Sequence, residues 1–316
     1  MRCGFALIVA VASILQAAAR PLPHPKHTIS PLERLLSLSK QHQQLGDAAA
    51  NCPYQPSSLV ELPSPLPASI QEALAGVDSV LNATINTATL PGIAASISYN
   101  GQTLHSTGFG VVDKDSSNVP NGGTIFRIGS VSKVFAVIMI YQLYASEVIS
   151  SLDAPFSMYC PAFSIGNPFS SEPITLREMM AQLSGLPREA PCAPQGDNDL
   201  NLCPVSTDTI LERLQFQNLV FPPWTEPSYS NLAYALLGRC VLQTLYPDVS
   251  YEDYINQTIL APLGMVNTGF TFTDSVISQL ATGYDANGSP VPLYDLGWVG
   301  PAGQMYSTTD DLNIVS

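Results

Sequence analysis

Ser130 and Lys133 stand three residues apart in Phe126-Arg127-Ile128-Gly129-Ser130-Val131-Ser132-Lys133, a spacing that suits a serine nucleophile served by an amine. On a helix that begins at or near Ser130, the two side chains share one face, a single turn apart. The serine oxygen then lies at the helix N-terminus, where free N–H groups and the positive dipole end favour developing negative charge. The following residues, 134–143, are apolar on every face, which is the pattern of a buried helix. Burial penalises the ammonium form, lowers the lysine pKa and makes the amine a base closer to neutral pH. The bland alternative is a serine N-cap followed by a solvated lysine. Two features weigh against it: no polar face follows Lys133, and lysine is scarce, with only Lys26, Lys40, Lys114 and Lys133 in the chain.

A second stretch, Tyr229-Ser230-Asn231, ends a Pro222-Pro223-Trp224 loop and enters another apolar run. Structurally it reads as a helix start capped by Ser230 or Asn231, with Tyr229 packing. Functionally it reads as a Tyr229 hydroxyl beside Lys133, shuttling a proton, and an Asn231 amide holding a substrate carbonyl. Both readings hold together, since a capped helix start is a rigid mount. The rival serine chemistry needs a histidine. The only histidines are His24, His27 and His42 in the proline-rich N-terminal stretch, and His105, which reads as an exposed strand residue. No G-x-S-x-G elbow occurs either.

These residues need elements to hold them. Ile70, Leu74, Val77 and Leu81 recur at helical spacing behind Pro67. Two strands follow, over 93–99 and 103–112, joined by Asn100-Gly101, a strong two-residue hairpin signal. A polar loop leads to the Ser130 stretch, and downstream the pattern predicts helices over 175–183, 207–216, 231–245 and 251–260. The sum is an α+β fold: an antiparallel sheet flanked by helices, with a helical subdomain.

The N-terminus carries one arginine, an apolar run over 5–15 and an Ala17-Ala18-Ala19 site, the layout of a cleaved secretory signal over 1–19. The run is too short to span a bilayer comfortably, and no other segment qualifies, so no stable membrane span is expected. Residues 20–66 are rich in Pro, Ser and Gln and read as an arm or linker, with the folded domain over 67–316. The net charge of −13 makes nucleic acid an unsuitable partner. Secretion implies pairing of cysteines. Cys192 and Cys203 flank a polar, loop-like segment and are expected to form a disulfide, while Cys52, Cys160 and Cys240 leave their pairing open. No cysteine spacing resembles a zinc site. Asn82 and Asn256 head glycosylation triplets.

With these motifs in place, the chain resembles the serine beta-lactamase-related family: class C beta-lactamases, D-alanyl-D-alanine carboxypeptidases, esterases and eukaryotic beta-lactamase-like proteins. The Phe126–Lys133 stretch matches the first motif in context, and Tyr229-Ser230-Asn231 matches the second, Y-x-N. Further blocks match in order: Ile174-Thr175-Leu176-Arg177-Glu178 with Ser184-Gly185-Leu186-Pro187, then Ala261-Pro262-Leu263-Gly264-Met265, Ala302-Gly303, and Ser307-Thr308-Thr309-Asp310-Asp311-Leu312. Gln182 departs from the histidine many relatives carry there. The resemblance implies acyl transfer from a small-molecule or peptide ester or amide: Ser130 as nucleophile, Lys133 and Tyr229 as base, Asn231 on the substrate, and no metal or organic cofactor. The family's third motif, Lys or His before Ser/Thr-Gly, has no counterpart in this sequence. The resemblance therefore implies a C-terminally incomplete chain that lacks sheet strands and turns over slowly, or else an inactive binding or scaffold protein.

Overall fold

Asn100 and Gly101 both take left-handed φ angles, 50° and 71°, as the tightest hairpin turns require. They join β1 (Gly92–Tyr99) to β2 (Gln102–Gly110) in an antiparallel pair, with a register shift at Ile97/Ser98. The computed structural model describes residues 62–87, 90–192, 200–285 and 287–315. The 1–19 signal, most of the 20–66 arm, Cys52 and the first three histidines lie outside them. Among the described residues no helix is long and apolar enough to cross a membrane.

Helix α1 (Ala68–Thr87) turns Ile70, Leu74, Val77 and Leu81 inward, all half-buried, and packs along the hairpin. His105 is not the exposed strand residue expected: it is half-buried, with Nε2 2.8 Å from Asp78 Oδ1 of α1. The α+β class holds, and a strand missed in the sequence appears before Ser130. β3 (Phe126–Arg127) pairs antiparallel with β4 (Tyr306–Ser307). Two residues are too few to leave a periodic signature, and their partners lie about 180 positions away. Among the described residues β1 pairs with β2 alone; the helix Thr309–Val315 lies beside it, its Asn313 Nδ2 donating to Thr103 Oγ1 at 3.1 Å.

The buried helix is α2 (Lys133–Ala145), with Ala136, Met139 and Ile140 fully enclosed. It starts three residues later than the sequence reading placed it, because Gly129–Ser132 forms a 3-10 turn first. Ser132 Oγ ties that turn down, donating to Gly129 O at 2.6 Å and accepting from Met305 N at 3.1 Å. The helices expected over 175–183 and 207–216 are shorter, whereas 231–245 and 251–260 are helical throughout, and all are well capped: α3 (Leu176–Met180) by a Thr175/Glu178 capping box, α4 (Thr207–Leu214) by Ser206, α5 (Asn231–Leu236) by Ser230 and α6 (Tyr251–Ile255) by Ser250. α5 continues through a π-helical segment (Leu237–Val241) that carries Gly238. A Cβ there would meet Pro301 Cγ at 2.5 Å, so glycine lets the 3-10 segment Gly297–Ala302 press onto α5. Asp311 is buried and accepts from Asn267 N (2.9 Å) and Thr268 Oγ1 (2.8 Å), which explains one matched block as a structural anchor. Cys192–Cys203 are bonded as expected, Cα atoms 5.2 Å apart, and Cys160 pairs with Cys240.

Candidate active site

Ser130 sits on the exposed 3-10 turn, while Lys133, one turn on, is 6 % exposed at the head of α2. This difference follows from the local sequence: Gly129, at φ +49°, turns the chain out of β3, and the apolar run after Lys133 must go inward. Lys133 Nζ has three acceptors: Ser130 Oγ at 3.1 Å, Asn231 Oδ1 at 2.8 Å and Ala302 O at 2.6 Å. The faces of Tyr229 and Tyr234 lie 4.8 and 5.5 Å from it. Burial pushes the Lys133 pKa down, Tyr229 and Glu189 pull it up, Arg188 pushes it further down, and the net direction is below the ordinary lysine value.

Tyr229 approaches from the other side, its Oη donating to Ser130 Oγ at 2.5 Å. Burial alone would raise the phenol pKa; the neighbouring Lys133, Ser130 and Arg188 outweigh it and bring it below the usual value. The Arg188 guanidinium stands 4.8 Å over the Tyr229 ring and pairs with Glu189 at 3.2 Å. Ser130 Oγ is therefore flanked by an amine and a phenol, each shifted toward its proton-accepting form. The two observations on Lys133 pull apart: burial favours the neutral amine, whereas three acceptors match the three donors of an ammonium. The contact with Ser130 needs no third donor: Ser130 Oγ carries its own proton and can donate it to a neutral amine, whose two N–H groups serve Asn231 Oδ1 and Ala302 O, so the geometry accommodates the neutral form that burial favours.

The four residues read from the sequence, Ser130, Lys133, Tyr229 and Asn231, meet at one point. Asn231 is also tied to neighbouring side chains. Its Oδ1 accepts from Lys133, and its Nδ2 lies 3.0 Å from both oxygens of Glu189, so the amide bridges a cation to an anion and is occupied at both ends. Glu189, Ala302 O and Tyr234 escaped the sequence reading. Ala302-Gly303 gave a signal only as a matched block, and an acid in a loop gives none. Ser230 is the helix cap: it is buried, accepts from Ala233 N at 3.0 Å and donates to Pro187 O at 2.7 Å. Gly185, at φ +69°, passes so close to Phe221 that a Cβ would sit 2.0 Å from its carbonyl oxygen, which docks the Tyr229 loop on the Ser184–Pro187 block. A cleft of about 600 Å³ lined by Phe270, Phe272, Tyr294 and Gln304 is separate from these residues.

Both the sequence and the fold are similar to those of known proteins. A family model described as Beta-lactamase matches residues 77–316. Putative beta-lactamase-like 1 of Homo sapiens is 38% identical over 268 residues, covering 83% of this chain and 52% of that protein. Beta-lactamase-like protein 2 of Dictyostelium discoideum is 37% identical over 251 residues, covering 77% of this chain and 45% of that protein. The chain thus spans about half the length of these curated relatives. In three dimensions it is similar to a beta-lactamase/D-alanine carboxypeptidase from Yersinia pestis complexed with citrate, with TM-score 0.63 and 26% identity over 78% of this chain and 68% of that one.

Proposed function

The chain belongs to the beta-lactamase family, and from that premise we propose that it carries the acyl-transfer site of a serine hydrolase with Ser130 as nucleophile. The observation that carries the reading is the placement of Ser130 Oγ between Tyr229 Oη (2.5 Å) and Lys133 Nζ (3.1 Å). The substrate is an ester or amide whose carbonyl reaches the exposed Ser130.

In the first step the neutral Lys133 amine, with Tyr229 as relay, removes the Ser130 proton while the serine oxygen bonds to the acyl carbon. The Lys133 ammonium so formed and the Tyr229 hydroxyl steady the serine oxygen. Negative charge moves to the carbonyl oxygen, and the Ser130 backbone N–H at the start of the turn supplies one oxyanion donor; such donors are typically worth about 3 kcal/mol. Collapse breaks the bond to the leaving group, which takes the proton from Tyr229. A water molecule then attacks the acyl-Ser130 ester, loses its proton by the same route, and frees the acid and the serine. Asn231 and Glu189 keep Lys133 in place throughout.

We further place the protein outside the cell. Two disulfides suit an oxidising compartment, and the exposed Asn82 and Asn256 side chains are proposed as glycosylation sites. The test is labelling with a fluorophosphonate, followed by peptide mass mapping. The expected result is one adduct on Ser130, absent in Ser130→Ala. No adduct, or equal labelling of the variant, refutes the acyl reading and leaves an inactive binding protein.

A further inference from the structure

Tyr229 belongs to no helix or strand, yet its hydroxyl must hold a hydrogen bond to Ser130 across 99 positions of sequence. The two amides flanking it both end on one residue. Ser228 N–H donates to the Gln182 carbonyl at 2.8 Å, and Ser230 N–H donates to Gln182 Oε1 at 2.7 Å. The next carbonyl, of Leu183, accepts from Trp224 N at 3.0 Å and holds the loop further back.

Gln182 can make both bonds because of its backbone. It follows the Ala181 cap of α3 with φ +60°, the left-handed region that suits glycine and strains a residue with a Cβ. That turn brings its main-chain oxygen and its amide oxygen to two points of the loop, two residues apart. Glycine would relax the backbone there but has no amide oxygen to offer Ser230.

We propose that Gln182 is the positioning residue for Tyr229: it clamps the backbone on both sides of the phenol and so fixes Oη against Ser130. Gln182 makes no hydrogen bond to Ser130 or Lys133 among the described residues, so it acts through the loop that carries Tyr229. The inference rests on the reading of Tyr229 as the relay for the Ser130 proton.

A double-mutant cycle tests it, using the rate of fluorophosphonate labelling of Ser130 in wild type, Gln182→Gly, Tyr229→Phe and the double variant. Gln182→Gly is expected to slow labelling by about 10- to 100-fold, the cost of a catalytic group misplaced by about 1 Å. In the Tyr229→Phe background the same change is expected to matter by less than about twofold, because there is no longer a hydroxyl to position. Equal slowing in both backgrounds means that Gln182 supports the fold in general and overturns the proposal, as does a Gln182→Gly rate equal to wild type. If Tyr229→Phe itself labels as fast as wild type, the role of Tyr229 fails, and the positioning role with it. If only the Gln182 effect is missing, the acyl-transfer reading stands.

Discussion

The helical wall and the hairpin wall of this protein are built to different standards. On the helical wall, Ala136, Met139 and Ile140 of α2 and Leu232, Ala233 and Leu236 of α5 are all 0 % exposed. On the hairpin wall, every residue of β1 is half-buried and no described side chain of α1 is buried. Lys133, Asn231 and the Ala302 carbonyl all belong to the helical wall or the segment pressed onto it. Close-packed interiors resist displacement and transmit strain, so groups hung from them keep their distances. The hairpin wall offers no group to the reactive cluster. Precision in this molecule is thus a property of burial rather than of secondary structure.

The sharpest test of the contrast is a pair of serines. Ser130→Ala should reduce ester turnover, measured with p-nitrophenyl acetate, by about a thousandfold or more. Ser106→Ala, an exposed serine on β2, should change it by less than about twofold. Comparable losses would erase the distinction between the walls.

Packing energies should follow the same division. Leu236→Ala removes a fully enclosed side chain and should cost about 2–5 kcal/mol in urea unfolding. Val77→Ala on α1 should cost about 1 kcal/mol or less, since the site is half-buried and can collapse. Equal costs would show that the hairpin wall is as tightly specified as the core.

The Cys192–Cys203 bridge closes a short loop, 11 positions in sequence, and its removal by paired serine substitution should cost about 3 kcal/mol in the chain-entropy model. The check is the urea midpoint of the double variant against wild type. An unchanged midpoint would mean that the loop is held by its other contacts.

The smallest effect is electrostatic. Burial lowers the Lys133 pKa and the Arg188 charge lowers it further. For Tyr229, burial acts upward and Arg188 is among the groups that overcome it. A cation disfavours an ammonium and favours a phenolate, so Arg188→Ala should raise both pKa values. The rising limb of kcat/KM against pH should then move to higher pH, by less than about one unit for an exposed charge screened by salt. A shift to lower pH would reverse the sign assigned to Arg188 and place its influence elsewhere.

Much of this molecule is decided by neighbours in sequence. Asn100-Gly101 takes left-handed angles whatever surrounds it, because few other residue pairs tolerate them. Ser130 and Lys133 meet because one helical turn spans three residues. Ser206, Ser230 and Ser250 cap helices, since each has extended backbone and its side-chain oxygen accepts from a free N–H three residues on. Residues 134–143 had to be buried for want of a polar face. What the chain could not announce locally is everything that depends on two distant segments being pressed together. Tyr229 reaches Ser130 only because Gln182 and Gly185 dock its loop, and the Ala302 carbonyl reaches Lys133 only because Gly238 lets Pro301 close on α5. Glu189 also holds the Asn231 amide, which the local pattern offered to a substrate. Local rules fix which residues can act; contacts separated by about 40 to 170 residues fix which of them do, since a hydrogen bond is lost within an ångström and only the packed core sets distances that finely.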